Sequence, residues 1–106
     1  MARTLLNVPK TARKGEVIEI RALIAHPMET GFRPGADGKV QPRDIIRRFA
    51  CRYNGEQVFA AELFSAISAN PYVAFHTVAT ETGTLEFEWQ GDNGFAQTER
   101  APITVT

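Results

Sequence analysis

The sequence is poor in most of the features that announce chemistry. It holds one cysteine, Cys51, so no disulfide can form within the chain. A lone cysteine points toward a reducing compartment, though one residue decides little. No apolar stretch near the N-terminus is long enough for a signal-peptide core, and none elsewhere could span a membrane. The expectation is a soluble chain that something else must carry if it works outside the cytoplasm. Neither sign of charge is in excess, with Lys plus Arg and Asp plus Glu at 12 each. Nucleic-acid binders need a surplus of cations to neutralise phosphates, so no nucleic-acid partner is expected. A chain near neutrality has little self-repulsion, which suits association with another protein. There is no glycine-rich phosphate cradle, no nucleophile elbow, no repeat and no low-complexity segment.

What is present is a short alternating stretch followed by a turn signal, many times over. The length of 106 residues fits one domain, residues 1–106, with room for one modest core. Residues 3–8 read as a first edge strand stopped by Pro9. Residues 16–25 read as a long strand with Ile18, Ile20, Ala22 and Ile24 on one face and Glu19 and Arg21 on the other. Residues 45–53 place Ile45, Phe49, Cys51 and Tyr53 inward and Arg48 and Arg52 outward. Asn54-Gly55 follows, the dipeptide a type I′ hairpin turn prefers. Residues 57–63 return. Residues 64–70 read as a helical turn closed by Pro71, and residues 72–79 as a strand. In residues 83–90, Leu85, Phe87 and Trp89 face in while Glu86 and Glu88 face out. Residues 91–94 form a second hairpin loop, and residues 95–106 a last strand with a break near Pro102. The pattern predicts an all-β fold, an immunoglobulin-like antiparallel β-sandwich of about seven strands, without the cysteine pair that bridges the sheets of true immunoglobulin domains. Residues 27–44 are long for a connection and read as a protruding hairpin with its tip at residues 35–38 and Phe32 and Val40 paired on its flanks.

Few residues offer a reaction. His26, Met28, Cys51 and His76 are soft donors, and a small copper-binding β-sandwich is the alternative reading they raise. Such a site gathers its Cys, His and Met on one C-terminal loop. Here Cys51 is mid-strand with no His or Met within the next ten residues, so the two histidines and Met28 read as surface or loop residues. Cys51 alternates with Phe49 and Tyr53 on the apolar face, where a thiol behaves as a small hydrophobe. Glu86 and Glu88 read as solvated charge rather than an acid–base pair. Arg43, Arg47, Arg48 and Arg52 form the only cationic cluster, suited to an anion or an acidic partner and equally to a solvated sheet face. Phe32, Phe64, Tyr72, Phe75 and Phe95 exceed what one small core obviously needs; most are expected to be core, and exposed members of that set would mark an interface. No catalytic, cofactor-binding or metal-binding residue is assigned.

Ile24-Ala25-His26-Pro27-Met28-Glu29-Thr30-Gly31, Pro42-Arg43-Asp44-Ile45-Ile46, Cys51-Arg52-Tyr53-Asn54-Gly55, Asn70-Pro71-Tyr72 and Gly91-Asp92-Asn93-Gly94-Phe95 together resemble the signature of the SoxZ family. Asn7-Val8-Pro9-Lys10 and Ile103-Thr104-Val105-Thr106 also fit, so the resemblance covers essentially the whole chain in order. It implies a non-catalytic subunit of the SoxYZ carrier of bacterial thiosulfate oxidation. The partner would be SoxY, in a heterodimer or a higher assembly, with the covalent sulfur intermediate on the SoxY C-terminal-arm cysteine, and other Sox enzymes would dock transiently. It also implies a periplasmic location, reached by co-export with a signal-bearing SoxY. On this reading Pro27, Met28, Glu29, Thr30, Gly31 and Phe32 of the long hairpin, with Asp92, Asn93, Gly94 and Phe95 of the later loop, are the candidate partner-binding residues.

Overall fold

Alternation of apolar and polar side chains dictates the architecture. In the computed structural model, which describes residues 1–106, eight strands succeed one another: β1 (Thr4–Asn7), β2 (Thr11–Ala12), β3 (Val17–Ile24), β4 (Ile46–Tyr53), β5 (Glu56–Glu62), β6 (Tyr72–Val78), β7 (Gly83–Gly91) and β8 (Ala96–Val105). They form two sheets, a three-stranded one in the order β1-β3-β6 and a five-stranded one in the order β2-β8-β7-β4-β5. The sheets face each other as the expected β-sandwich. No helix is long and apolar enough to cross a membrane.

Each strand turns its apolar set inward. On β3, Ile18, Ile20, Ala22 and Ile24 are buried, and on β7 so are Leu85, Phe87 and Trp89. Phe49 of β4 sits at the centre, with ring centroids 5.4 Å from Trp89, 6.3 Å from Phe87 and Phe75, and 6.2 Å from Phe59. Full burial of one such ring contributes about 1.5–3 kcal/mol relative to exposure. The Asn54-Gly55 turn has both central residues at positive φ, 50° and 86°, as the type I′ geometry requires.

Several details depart from the sequence reading, each for a local reason. After Pro9 the chain crosses from one sheet to the other, and the two residues of β2 pair in parallel with Thr104 and Val105, which raises the strand count to eight. β8 is unbroken at Pro102. Thr104 and Thr106 point their N–H groups at Lys10 and Ala12, so Pro102, on the same side, faces a stretch β2 does not reach, and its missing donor costs no ladder bond. Residues 64–70 are not helical. One turn bond joins Ile67 N–H to Phe64 carbonyl, and Asn70 then takes a positive φ of 56° that no helix continues. Residues 27–44 do protrude as a hairpin, held by bridges Glu29–Asp44 and Pro34–Val40. Val40 is thus opposite Pro34 rather than Phe32. Glu86 and Glu88 are not freely solvated, because both are half-buried against Arg52. The body measures 58 × 20 × 19 Å.

Candidate docking surface

One end of the sandwich gathers the connection 27–44, the loop 91–95 and the loop 63–71. His26, at the exit of β3, is buried rather than on the surface, at 6% exposure. Its Nδ1 accepts the Met28 N–H at 3.0 Å, its ring meets Phe95 edge-on at 5.2 Å, and its Nε2 lies 3.9 Å from Asp44. Met28 is buried as well, at 3%, with a positive φ of 51°, and its sulfur accepts the Ile46 N–H at 3.2 Å. Both residues hold the loop to the core and present nothing to a partner. Of the sequence reading of His26 and Met28 as surface or loop residues, the loop part holds and the surface part is corrected: both follow the end of β3 and are buried.

Asp92 plays the same anchoring part from the other loop. Its carboxylate accepts a forked pair of bonds from Arg43 at 2.8 and 2.9 Å, a third from the Ile45 N–H at 3.1 Å, and lies 3.2 Å from Arg47. The Arg43 guanidinium, helped by the Ile45 N–H and Arg47, holds the Asp92 carboxyl below its ordinary value of 3.8, against the opposing effect of desolvation. Gly91 admits this approach because a Cβ there would fall 2.6 Å from the Ile45 carbonyl oxygen. Gly31, at a φ of 88°, lets the hairpin backbone pass against Arg43. Asn93 and Gly94 are exposed at positive φ, while Phe95 is half-buried against His26.

The remaining candidates stand outward. Phe32 is 81% exposed and Phe64 is 64% exposed. Between them opens a groove of about 870 Å³ with Ile45 and Leu63 in its lining and Arg43, Arg47 and Arg48 among its polar groups. Ser65 Oγ donates to the Thr30 carbonyl at 3.3 Å and ties the two rims together. Glu29 is occupied with Arg33, and Pro27 is exposed beside the buried pair. Of the ten candidate residues, the structure brings both segments to one end but offers chiefly Pro27, Phe32, Asn93 and Gly94 to a visitor. Sequence reasoning did not single out Glu62, Leu63, Ser65 and Ala66 as one wall of this groove. The clue available was the run of small and apolar residues after β5, which lacks the alternation that would bury it.

Chemically, the groove offers guanidinium groups beside aromatic surface, with no nucleophile–base pair. Cys51 lies elsewhere, fully buried on β4, and desolvation pushes its thiol up to about 12 despite the opposing field of Arg52. The donors weighed for copper occupy separate places: Cys51 in the core, His26 and Met28 under the loop end, and His76 62% exposed beside Glu19 on the three-stranded sheet. No three His, Cys, Asp or Glu side chains converge as ligands would.

Comparison with solved structures places this sandwich among known ones. Superoxide reductase (neelaredoxin) from Ignicoccus hospitalis superposes with a TM-score of 0.75 at 16% identity, over 99% of this chain and 82% of that one. The sulfur carrier protein SoxY from Chlorobium limicola f. thiosulfatophilum superposes with a TM-score of 0.66 at 13% identity, over 97% of this chain and 78% of that one. At such identities the likeness is one of fold. No curated relative matches by sequence. The family profile of the sulphur oxidation protein SoxZ matches residues 6–102, nearly the entire chain. With that match, this protein belongs to the SoxZ family.

Proposed function

We propose that this chain is the non-catalytic subunit of a two-chain sulfur carrier and binds a SoxY-type subunit whose C-terminal-arm cysteine bears the sulfur. The observation that carries this reading is the state of Cys51. A carrier thiol must be exposed and readily ionised to attack or be attacked. The single thiol here is sealed in the core and held protonated, with its pKa pushed up to about 12. A member of this family with no usable thiol of its own must leave the covalent step to another chain. The rigid sandwich then serves as a base for a mobile arm. The groove between Phe32 and Phe64, with Arg47 and Arg48 in its lining, suits brief contacts with acidic, partly apolar patches on other Sox enzymes. The place of action is the periplasm, reached as a folded complex with a signal-bearing SoxY.

The test is co-expression with a SoxY chain, followed by native mass spectrometry before and after exposure to the thiosulfate-oxidising enzymes. The expected result is a heterodimer in which the sulfur adduct resides wholly on SoxY. A sulfur adduct on Cys51, or turnover of thiosulfate by this chain alone, would overturn the reading.

A further inference from the structure

The two long sides of the sandwich are defended very differently against strand pairing. On one side β1 is four residues long and runs into Pro9, and β2 is only two residues long. Pro102 of β8 faces the same side, and Arg3, Lys10 and Arg13 flank these strands in sequence. Short edges, prolines and cations are the usual means of blunting an open sheet. The other side has fewer of them, with Pro71 just ahead of β6 the one proline at its margin. β5 ends the five-stranded sheet and β6 ends the three-stranded sheet. Each is seven residues long, and neither contains Lys, Arg or Pro. Phe59 and Phe75 stack between them at 4.4 Å and 8° and close the core at that side.

The ladder identifies which groups of β5 are free. Leu63 donates its N–H to the Arg47 carbonyl, in register with the pairs Phe49–Ala61 and Cys51–Phe59. Backbone groups alternate along an antiparallel strand, so Phe59 and Ala61 face β4 while Ala60 and Glu62 turn their N–H and C=O outward. The bulge between Cys51 and Arg52 confines the regular stretch to residues 59–62. The side chains add a preference. The half-buried residues Val58, Phe59, Ala60 and Ala61 lie between exposed Glu56 and Glu62. A second copy of this chain paired antiparallel about Phe59 would set each Glu56 against the other copy's Glu62, and facing like charges destabilise a strand pair. The same two carboxylates favour a strand with cations at those places.

We propose that β5 is the edge to which the SoxY-type partner adds a strand, apolar at its centre and flanked by lysine or arginine, so that one sheet runs across the heterodimer. This rests on the reading that the chain binds SoxY. The SoxY neighbour has the same kind of sandwich, and so has sheet edges to offer. Backbone bonds to Ala60 and Glu62 supply affinity, and Glu56 and Glu62 supply selection.

The experiment uses full-length chain and a SoxY chain produced in the same cells. Hydrogen exchange at the outward amides of Ala60 and Glu62 is expected to slow in the complex, whereas Phe59 and Ala61 are already protected in the free chain. Ala60→Pro removes an outward donor and leaves the β4 bonds intact, so it should keep the far-ultraviolet circular dichroism and weaken SoxY binding by roughly tenfold or more. If that variant does not fold, the Glu56→Lys/Glu62→Lys pair carries the test. It should weaken binding at low salt, with the deficit shrinking as salt rises. Wild-type binding with unchanged Ala60 and Glu62 exchange and an undiminished complex in the lysine variant overturns the edge proposal while the partnership stands. Failure of the wild-type chain to bind SoxY at all removes both.

Discussion

Asp92 shows how a residue in a family signature can serve the fold before it serves a partner. Its carboxylate ties Arg43, Arg47 and the Ile45 N–H into one knot at the base of the groove. Because its folded pKa is lowered, the stability it adds is present above the unfolded value of 3.8 and is lost as pH falls through the lower folded value. Asp92→Asn should therefore lower the thermal midpoint at neutral pH and lessen the loss of stability in acid, as followed by thermal melts across a pH series. Cys51 has the opposite sign. Its pKa is raised, so its contribution is present below the ordinary value of 9.0 and fades as pH climbs toward about 12. At pH 8 the native thiol should resist Ellman's reagent and react fully once the chain is unfolded. Cys51→Ser, which buries a hydroxyl in place of a thiol, should cost about 1–3 kcal/mol by urea titration. The burial of Cys51 was legible in the sequence because a two-residue period needs only its neighbours Phe49 and Tyr53. The burial of His26 and Met28 continues the same period, with 18, 20, 22, 24, 26 and 28 all buried, but Pro27 marked the end of the strand in the sequence and the period was not carried past it.

At the scale of elements, the turn between β4 and β5 and the meeting of rings at Phe49 set the register of the sheet. Asn54 holds a positive φ of 50°, and its side-chain oxygen accepts the Thr84 N–H at 2.9 Å. Asn54→Ala loses that bond and pays for the left-handed backbone, a cost of about 1–3 kcal/mol. Phe49→Ala opens a cavity among Phe59, Phe75, Phe87 and Trp89 and should cost about 3–5 kcal/mol by denaturant unfolding. Six of the eight strands announced themselves by alternation or by turn dipeptides, and β1 by Pro9 beyond its end. β2 could not be foreseen, since two residues carry no period and their pairing is decided by where β8 ends. The outward charges were legible only in part. Alternation put Arg52, Glu86 and Glu88 on one face, but only the cross-strand register shows that Arg52 sits opposite Glu86 and bonds both carboxylates.

At the scale of the whole molecule, the two loops that the family signature brackets meet at one end, and an undefended sheet edge runs along one side. Phe32 and Phe64 stand at that end with most of their surface in water. Replacing both by serine should change stability by less than about 0.5 kcal/mol each, because neither ring is in the core. On the proposed function, the same change should reduce retention of the other Sox enzymes in a pull-down while leaving SoxY bound. This surface was only partly legible. The long hairpin and the surplus of aromatics pointed to it, but the wall from Glu62 to Ala66 joined it through the bond between Ser65 and Thr30, which links positions 35 apart.

The slender proportions have a practical consequence for anyone who weighs this protein in solution. A length of 58 Å against widths near 20 Å gives a radius of gyration of 16.1 Å. A ball of the same chain length would have about 13 Å. A rod experiences more drag than a sphere of equal mass, so a lone copy should elute early from a sizing column and pass for something heavier. Stoichiometry inferred from elution volume alone will be inflated, and light scattering or sedimentation equilibrium is the measurement that counts subunits correctly.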